Sequence, residues 1–447
     1  MIIRPESARF AAAERIVRRL QEAGHQALLA GGCVRDLLLR HEPNDYDVAT
    51  SARPVEVAEM FPGCKPVGAQ FGVILVVVDH MSYDVATFRT EDGYSDGRRP
   101  DRVQFCGIEE DARRRDFTIN AIYWDPIGGS LVDPTGGRED LSIGLVRAIG
   151  DAESRMREDH LRMLRAVRFA ARFGFQVDPE TERAIRLLAP LLSRVSAERI
   201  CEELRMILTD RDPAAALRKM DELGLLAVLF PELEDAKGCE QPENFHPEGN
   251  VFVHSLLTVE KLGPSPEFVL ALAALLHDVG KPPASRIAGP KRFPEHERIG
   301  REMTGQICRR LRLSRAETGL VCWLVHRHMY FHNARDMKDS TLKRLFAEPG
   351  FDQLCALVRA DALASWGHLD HVDYVLERRQ RMQPEEIVPP RLVTGHDLIE
   401  RGYQPGPAFG RVLKEVWEMQ LEGKLSRREE ALAAAEEAAR RLDVPRS

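Results

Sequence analysis

A chain of 447 residues exceeds the size of a single hydrophobic core, so two to four domains are expected. With 44% hydrophobic and 30% charged residues, the composition is that of a soluble globular protein and excludes a disordered one. The net charge of −7 does not indicate nucleic-acid binding by the chain as a whole, although such a sum hides local patches. The eight cysteines form no C-x-x-C pair, which favours reduced thiols over disulfides or a zinc knuckle. Without a signal region or an apolar run of membrane-spanning length, we expect a cytoplasmic protein with no membrane partner.

The order of sequence patterns predicts a mixed α/β head followed by an all-helical remainder. Residues 6–24 have the spacing of an amphipathic helix, and strand patterns follow at 27–30, 73–78 and 83–88. The polar stretch 89–102 is too charged for a core and predicts a mobile loop. From residue 151 onward, strand patterns nearly vanish and long helical patterns run to the C-terminus.

The most informative motif follows the first predicted strand. Residues 31–36 are GGCVRD, and Asp45 and Asp47 come shortly after them. Paired glycines at a strand-to-helix junction let backbone N–H groups approach a polyphosphate, and Arg35 adds positive charge. The two aspartates lie at i and i+2 of an extended segment, so they project to one side and can hold a pair of Mg²⁺ ions. Two aspartates alone are often an ordinary loop pair, but their place after the glycine element indicates a nucleotidyltransferase.

Residues 111–121, DARRRDFTINA, form a second dense motif. Arg113 is expected to be an ordinary solvated arginine. Arg115 lies beside Asp116 and an apolar Phe117, so we expect it to be held in place to meet a triphosphate or a reacting end. Arginine suits this role because its guanidinium contacts phosphate oxygens through two donors, which lysine cannot do.

The third motif lies in residues 157–172, whose pattern predicts one continuous helix. About half of that helical wheel carries the charged residues Asp159, Arg162, Arg165, Arg168 and Arg172. Aspartate accepts a hydrogen bond from an exocyclic amine and arginine donates to ring acceptors. Because cytosine and adenine both carry an amine beside an acceptor nitrogen, such a pair can select C and A without a template. A solvated arginine face is the alternative.

These motifs, in this order, resemble the bacterial, class II family of CCA-adding tRNA nucleotidyltransferases and poly(A) polymerases, over essentially the whole chain. The resemblance implies a nucleotidyltransferase head with a polymerase-β-like mixed sheet, followed by an all-α neck, body and tail. The implied divisions are the catalytic head at 1–150, a nucleotide- and RNA-binding neck at 151–235, an HD-type body at 236–383 and a tRNA-binding tail at 384–447.

The resemblance also implies residue roles. The catalytic residues would be Asp45, Asp47 and Arg115, with Mg²⁺ held by the two aspartates. Asp84 would either complete the metal site as a third carboxylate or only cap its strand. The stretch 89–102 would help the enzyme switch from C to A addition. The implied nucleotide-binding residues are Gly32, Arg35, Arg115, Asp159, Arg162, Arg165 and Arg168.

The helical body carries a fourth group of residues, which resembles an HD-type metal phosphohydrolase module. Its members are His254, the adjacent His277 and Asp278, His296, His326, His328 and Asp361. A His-Asp pair after an apolar helix, with histidines on neighbouring helices, is what a buried divalent site requires. We therefore predict a second divalent metal, with His254, His277, Asp278 and Asp361 as its ligands. Hydrolysis at this site stays open, and His368 and His371 are expected only to lie on a helix face.

The family contains several activities. Residues 68–72, GAQFG, take the place of the Gly-Arg-Arg-Phe element typical of the poly(A) polymerases, so the resemblance favours addition of C, C and A to the tRNA 3′ end from CTP and ATP. An A-adding enzyme or a poly(A) polymerase is the first alternative. The second is an HD-domain phosphohydrolase with an inactive head. The sequence does not indicate an oligomeric state.

Overall fold

The computed structural model describes residues 2–65, 71–92, 102–244, 246–383, 387 and 389–445. Two compact units divide the chain, Met1–Leu233 and Glu234–Ser447. The finer division into head, neck, body and tail stays a prediction. Of the predicted features, residues 68–70 of the GAQFG element and residues 93–101 of the polar stretch lie outside the described residues.

The first unit contains the strands of the head. They are β1 (Ala27–Ala30), β2 (Asp47–Thr50), β3 (Val73–Val78), β4 (Met81–Thr87), β5 (Arg89–Asp92), β6 (Arg102–Phe105), β7 (Tyr123–Trp124), β8 (Leu131–Val132), β9 (Leu145–Val146) and β10 (Gln176–Val177). One six-stranded sheet has the order β3-β4-β2-β1-β7-β8. Within it β2 and β4 run parallel and the other neighbours run antiparallel, which confirms the predicted mixed sheet.

The polar stretch 89–102 was predicted to be a loop, but both of its ends are strands. Strands β5 and β6 pair antiparallel from Arg89 opposite Phe105 to Asp92 opposite Arg102. A hairpin ladder is held by backbone hydrogen bonds and needs no apolar face. The charged composition therefore concealed two short strands that stand apart from the main sheet.

Helices surround this sheet and continue beyond it in the first unit. They are α1 (Ala8–Glu22), α2 (Gly32–Leu38), α3 (Pro54–Met60), α4 (Ile108–Arg113), α5 (Gly137–Ile143), α6 (Ala152–Glu158), α7 (Arg162–Phe173), α8 (Pro179–Leu188), α9 (Ala197–Leu208), α10 (Pro213–Glu222) and α11 (Leu225–Leu229). The first of them confirms the predicted opening helix. Ser7 caps it by accepting a hydrogen bond from the Phe10 amide, and apolar side chains such as Ile16 and Leu20 are fully buried.

The predicted continuous helix over 157–172 is interrupted. Helix α6 ends at Glu158 and α7 begins at Arg162, while Asp159 has extended dihedral angles, φ −146° and ψ 106°. The Asp159 carboxylate accepts a hydrogen bond from the Leu161 amide at 3.1 Å, in the manner of an Asx turn. This side chain-to-backbone hydrogen bond competes with the helix and accounts for the break.

The second unit is built from helices. After α12 (Glu232–Lys237), which spans the division, they are α13 (Val251–Lys261), α14 (Phe268–Leu276), α15 (Lys281–Ala288), α16 (His296–Arg310), α17 (Arg315–Arg327), α18 (Asp339–Phe346), α19 (Phe351–Ala364), α20 (Asp370–Gln380), α21 (Gly395–Glu400), α22 (Pro407–Leu421) and α23 (Arg428–Arg441). The apolar helix α14 packs against α13, α17 and α19. Within the described ranges no helix has the length and apolar character needed to cross a membrane.

Candidate active site

The turn between β1 and α2 forms one edge of the candidate site. Gly31 has φ +74°, a left-handed conformation that glycine adopts without strain. A Cβ at this position would also lie 2.9 Å from Nη1 of Arg115, so glycine is needed for space as well. Helix α2 starts at Gly32, and the last residue of β1, Ala30, pairs with Asp47 on the neighbouring strand. The glycine turn and the acidic motif are therefore adjacent in space.

The acidic motif lies at the start of β2. The Asp45 and Asp47 residues are exposed, whereas Tyr46 between them is buried. This alternation confirms that the two carboxylates project to one side of the extended segment. Arg9 lies 3.4 Å from Asp45 through a guanidinium nitrogen and is itself exposed, so the carboxylate stays open to a cation.

Asp84 lies beside Asp47 on the next strand. Val48 is in register with Val85 in the parallel pair of β2 and β4, and the two aspartates each come one residue earlier. Loss of solvent, followed by the negative charge of Asp84, raises the pKa of Asp47 to about 6. The pKa of Asp84 is raised as well, by desolvation and by Asp45. Carboxylates with raised pKa values on one side of a sheet fit the oxygen ligands that Mg²⁺ prefers.

A cavity of about 640 Å³ opens beside these groups. It brings together all nine nucleotide-binding and catalytic residues predicted for the head and the neck, and Asp84 adjoins it through Asp47. The lining residues are Gly31, Gly32, Arg35, Asp45, Asp47, Arg114, Arg115, Asp116, Asn120, Asp159, Arg162, Arg165, Arg168 and Phe169. The mixture of carboxylates and guanidinium groups suits a metal-bound triphosphate.

Two of the predicted arginines are fixed from several directions. Arg35 is buried, donates to Asp36 at 2.7 and 2.8 Å and to Asn120 Oδ1 at 2.6 Å. Arg115 donates to Tyr123 Oη at 3.1 Å and to Asp111 at 3.3 Å through Nη2. Ion pairs and hydrogen bonds of this kind pre-position guanidinium groups before a ligand arrives. By contrast Arg113 is exposed, as expected for a solvated arginine.

The arginines of α7 each have a carboxylate partner. Arg162 Nη1 lies 2.6 Å from Glu158, and Arg165 Nη2 lies 2.7 Å from Asp116. Arg168 forms a buried ion pair with Glu203 of α9 and stacks on Phe169. The last two carboxylates were absent from the predicted site. Arg165 lowers the pKa of Asp116 despite burial, so this carboxylate stays charged.

Asp159 and Arg162, the predicted base-reading residues, do not lie on one continuous helix. Both side chains line the cavity, but Asp159 receives two hydrogen bonds from Arg199 of α9, at 2.7 and 3.1 Å. The Asp159 carboxylate therefore lies in the turn between two helices. Arg199, forty positions later in the chain, holds it there. Arg199 was not among the residues predicted for the site.

The HD-type residues converge in the second unit. His254 Nε2 lies 3.0 Å from Asp361 Oδ1 and 3.2 Å from His277 Nε2. His277 Nε2 lies 3.3 Å from Asp278 Oδ2, and all four residues are buried or nearly so. The predicted ligand set is thus brought together. Its donor atoms, imidazole nitrogen and carboxylate oxygen, fit a divalent transition metal.

Other histidines of the body differ from their predictions. His296 and His328 join the group on the other side of Asp278, whereas His326 lies outside the three groups of candidate ligands found among the described residues. His368 and His371 were expected only to lie on a helix face, but both line a cavity of about 590 Å³ next to the group. His371 stacks on His332 with ring centroids 4.6 Å apart.

Comparison with protein-family models gives three matches. The Poly A polymerase head domain matches residues 27–147, the "Probable RNA and SrmB- binding site of polymerase A" matches 174–237, and the HD domain matches 250–366. A CCA-adding enzyme of Lactobacillus johnsonii is 32% identical over 95% of this chain and 96% of its own length. The chain belongs to the CCA-adding enzyme family.

Further members of this family match the chain over different lengths and at different sequence identities. A CCA-adding enzyme of Geobacillus stearothermophilus is 46% identical over 48% of this chain, but the match covers 53% of that enzyme, so the chain spans about half the length of such relatives. The crystal structure of the Bacillus stearothermophilus CCA-adding enzyme in complex with CTP covers 98% of this chain and 99% of its own, at 29% identity and a TM-score of 0.72. The Thermotoga maritima CCA-adding enzyme complexed with tRNA, at 21% identity and a TM-score of 0.62, shares the fold with coverage of 97% and 96%. The predicted family and the predicted fold are confirmed.

Proposed function

We propose that this protein adds C, C and A in turn to the 3′ end of tRNA, using CTP and ATP without a template and releasing pyrophosphate. The observation that carries the proposal is one cavity that is lined by Asp45, Asp47 and Asp159 together with several arginines. The full-length match to a CCA-adding enzyme supports it. The matching head model is named for poly A polymerases, but the relative matched over the full length is a CCA-adding enzyme, which favours CCA addition over the poly(A) and A-adding alternatives. The complete set of head residues argues against an inactive head.

In this proposal the aspartates of the head hold Mg²⁺, with Asp84 as the third carboxylate. The bound ions would stabilise charge on the phosphates and on the attacking 3′-hydroxyl. The chain itself positions the nucleotide: the backbone N–H groups at Gly32 and the guanidinium of Arg35 approach the triphosphate. Arg115 occupies the same wall and is oriented by Asp111 and Tyr123. Positioning and charge neutralisation are the main catalytic contributions expected for nucleotidyl transfer.

Base selection is assigned to the opposite side of the cavity. Asp159 accepts from the exocyclic amine of C or A, and Arg162 donates to the neighbouring ring acceptor. Arg165 and Arg168 contact phosphate or ribose. Uracil and guanine present the reverse order of donors and acceptors, so they leave both protein groups without partners, which costs free energy.

The remaining assignments concern the body, the tail and the cellular location. A divalent metal is held by His254, His277, Asp278 and Asp361, as the HD-domain match and the converging ligand atoms support. The tail, 384–447, is assigned to tRNA binding. A cytoplasmic location fits the eight cysteines, all of which are free thiols.

The experiment that tests the proposal compares the intact protein with the Asp45→Asn/Asp47→Asn variant. The variant is expected to lose incorporation of CTP and ATP into tRNA lacking CCA, while its affinity for tRNA changes little. A matched control, Asp79→Asn, removes an exposed carboxylate of the same head that pairs with Arg15. Extension of tRNA by the double variant would show that the metal assignment is wrong.

A further inference from the structure

The sheet face that carries the carboxylates continues beyond them. Leu75 of β3 lies directly opposite Asp84 of β4, and Val77 lies opposite Ser82. Directly opposed residues project to the same side of a sheet, so Leu75 and Val77 share the face of Asp84. Val77 is 40% exposed and Leu75 is half-buried, whereas Val76 between them is buried. Leu75 and Val77 therefore form an apolar strip that borders the carboxylates.

The cavity proposed for the nucleotide lies on the other side of the carboxylates. Asp47 of β2 has Ala30 of β1 on one side, where the chain continues into the glycine turn at Gly31, and Asp84 of β4 on the other. Among the described residues, none of β3 or β4 lines that cavity. Across the sheet, the order is therefore the glycine turn, Asp47, Asp84 and the apolar strip.

The in-line geometry of nucleotidyl transfer determines from which side the primer approaches. The attacking 3′-oxygen and the leaving pyrophosphate lie on opposite sides of the α-phosphorus. With the triphosphate held at the glycine turn, the 3′-hydroxyl has to approach from the Asp84 side. We propose that Leu75 and Val77 contact the last nucleotide of the tRNA primer and that Arg9 binds the phosphate that precedes it. The inference rests on the proposed function, because it assigns residues to the second substrate of that reaction.

Arg9 supplies a positive charge outside the nucleotide cavity. It is not among the lining residues of that cavity, yet one of its guanidinium nitrogens lies 3.4 Å from Asp45 Oδ1. The backbone at Arg9 is fixed, since its carbonyl oxygen accepts a hydrogen bond from Tyr83 Oη at 3.1 Å and the adjacent Phe10 stacks on Trp124. The side chain itself is 56% exposed. An exposed guanidinium on a fixed backbone fits a phosphate of the approaching primer.

Arg9 and the apolar strip lie within reach of one nucleotide. The parallel register of β2 and β4, extended to the residues before β2, puts Asp45 beside Ser82. Ser82 in turn pairs with Val77. Neighbouring strands lie about 4.8 Å apart, so the row from Asp45 to Val77 spans about 10 Å. A nucleotide with its 5′-phosphate can bridge this distance, with the base over the strip and the phosphate at Arg9.

The chemistry of these contacts suits a primer whose end changes during the reaction. In the addition of C, C and A, the last base of the primer is not the same at each step, so its site cannot depend on hydrogen bonds to base edges. Burial of apolar surface is non-directional and suits any base or ribose. A phosphate contact carries no sequence information either. The strip and Arg9 therefore hold the primer, while base selection stays with Asp159 and Arg162.

Photo-crosslinking tests the apolar strip and needs no catalysis. Val77 is replaced by photoreactive benzoylphenylalanine in the full-length protein, which is irradiated with tRNA ending in CC. We expect a cross-link to the terminal C, mapped by sequencing the modified tRNA. Val55, which is 68% exposed on α3, is the matched position and should give no cross-link to the 3′ end. Cross-links from position 77 that miss the last nucleotide, or none at all, would overturn the proposal for the strip.

The Arg9→Ala variant tests the phosphate contact. Loss of a charge-assisted contact should raise the KM for tRNA roughly tenfold and leave the KM for CTP unchanged. Arg18→Ala is the matched control, because Arg18 lies on the same helix, is 50% exposed and pairs with Glu14. Its two KM values should equal those of the unmodified protein. A rise in the KM for CTP alone, or no rise in either, would contradict the role of Arg9.

A modified primer separates a direct contact from a general effect of charge. A neutral methylphosphonate in place of the last phosphate should raise the KM of the unmodified protein by the same factor, and should cause no further loss in Arg9→Ala. Equal losses in both proteins would show that Arg9 binds elsewhere. If the unmodified protein does not extend tRNA at all, the proposed function fails, whereas the cross-link still decides where the primer end lies.

Discussion

Arg199 is expected to determine how well the protein distinguishes C and A from U and G. Its guanidinium holds both carboxylate oxygens of Asp159, and both side chains are only 16% exposed. The change Arg199→Met keeps a long side chain but removes both donors. Asp159 then keeps the hydrogen bond from the Leu161 amide and loses the two that fix the carboxylate plane. We therefore expect the base-selecting group to be present but poorly oriented.

The expected size of the effect follows from hydrogen-bond energies. A good two-point contact with a base contributes about 1–3 kcal/mol of discrimination. Loss of orientation removes part of that contribution, and about 1.4 kcal/mol corresponds to a tenfold change. The ratio of kcat/KM for CTP to that for UTP should therefore fall roughly tenfold. The melting temperature should fall as well, because Arg199→Met leaves the largely buried Asp159 carboxylate without its ion-pair partner, and the ratio of the two kcat/KM values separates selectivity from this loss of stability.

The assay measures incorporation of each of the four nucleotides separately into tRNA lacking CCA and into tRNA ending in CC. Arg113→Met is the matched control, since Arg113 is exposed and lies 3.7 Å from Glu109. Its selectivity should equal that of the unmodified protein. If Arg199→Met retains full selectivity, the orientation argument is wrong, even if the overall rate falls.

Three further predictions follow from the same contacts. Arg162→Ala should relax the preference for C and A more than it weakens Mg²⁺ binding, and unchanged rejection of UTP and GTP in the nucleotide assay would contradict its role. Asp47 has a folded-state pKa of about 6 against an ordinary value of 3.8, so its ionisation destabilises the folded head. The Asp47→Asn variant and the unmodified protein are melted in the presence of a chelator. The melting temperature of the variant should be higher by the largest margin above pH 6, and the two should be equal below pH 4. Gly280→Ala would place a Cβ 2.1 Å from the His296 carbonyl oxygen and should lower the free energy of unfolding by about 1–3 kcal/mol. The control is Gly319→Ala, where a Cβ would enter open space on α17. This change should raise the free energy of unfolding by about 0.5–1 kcal/mol in urea denaturation.

The sequence was most informative where chemistry is concentrated in a short segment. The glycine turn, Arg35 and the two aspartates all lie within residues 31–47, and a strand pattern with alternating exposure predicts their direction. The structure places them in one cavity, as the spacing implied. Such local motifs are predictable because the turn that exposes the backbone and the groups that use it are neighbours in the chain.

Partners that come from distant elements were not predictable in this way. Arg199 and Glu203 both lie on α9, and only the packing of α9 beside α7 brings them to Asp159 and Arg168. The helix break at Asp159 was missed because most of residues 157–172 are good helix formers. Helix propensity does not reveal that the Asp159 carboxylate accepts hydrogen bonds from a backbone amide and from a guanidinium that is distant in the sequence.

The histidines of the body show the same limit. His326 and His328 are two positions apart, so near the end of one helix they face different directions. Composition alone gave no reason to prefer either as a ligand. Packing of α17 against α16 brings His328, and not His326, next to His296.

The activity proposed for the head is the addition of C, C and A, followed by a stop. The most direct measurement is extension of labelled tRNAs that lack CCA, or end in C or CC, resolved at single nucleotides with CTP, ATP or both in Mg²⁺. The proposal predicts two C additions from CTP, one A addition to the CC end from ATP, and a stop after CCA when both are present. Growth of A alone on the CC end, a long A ladder, or no extension at all would contradict it.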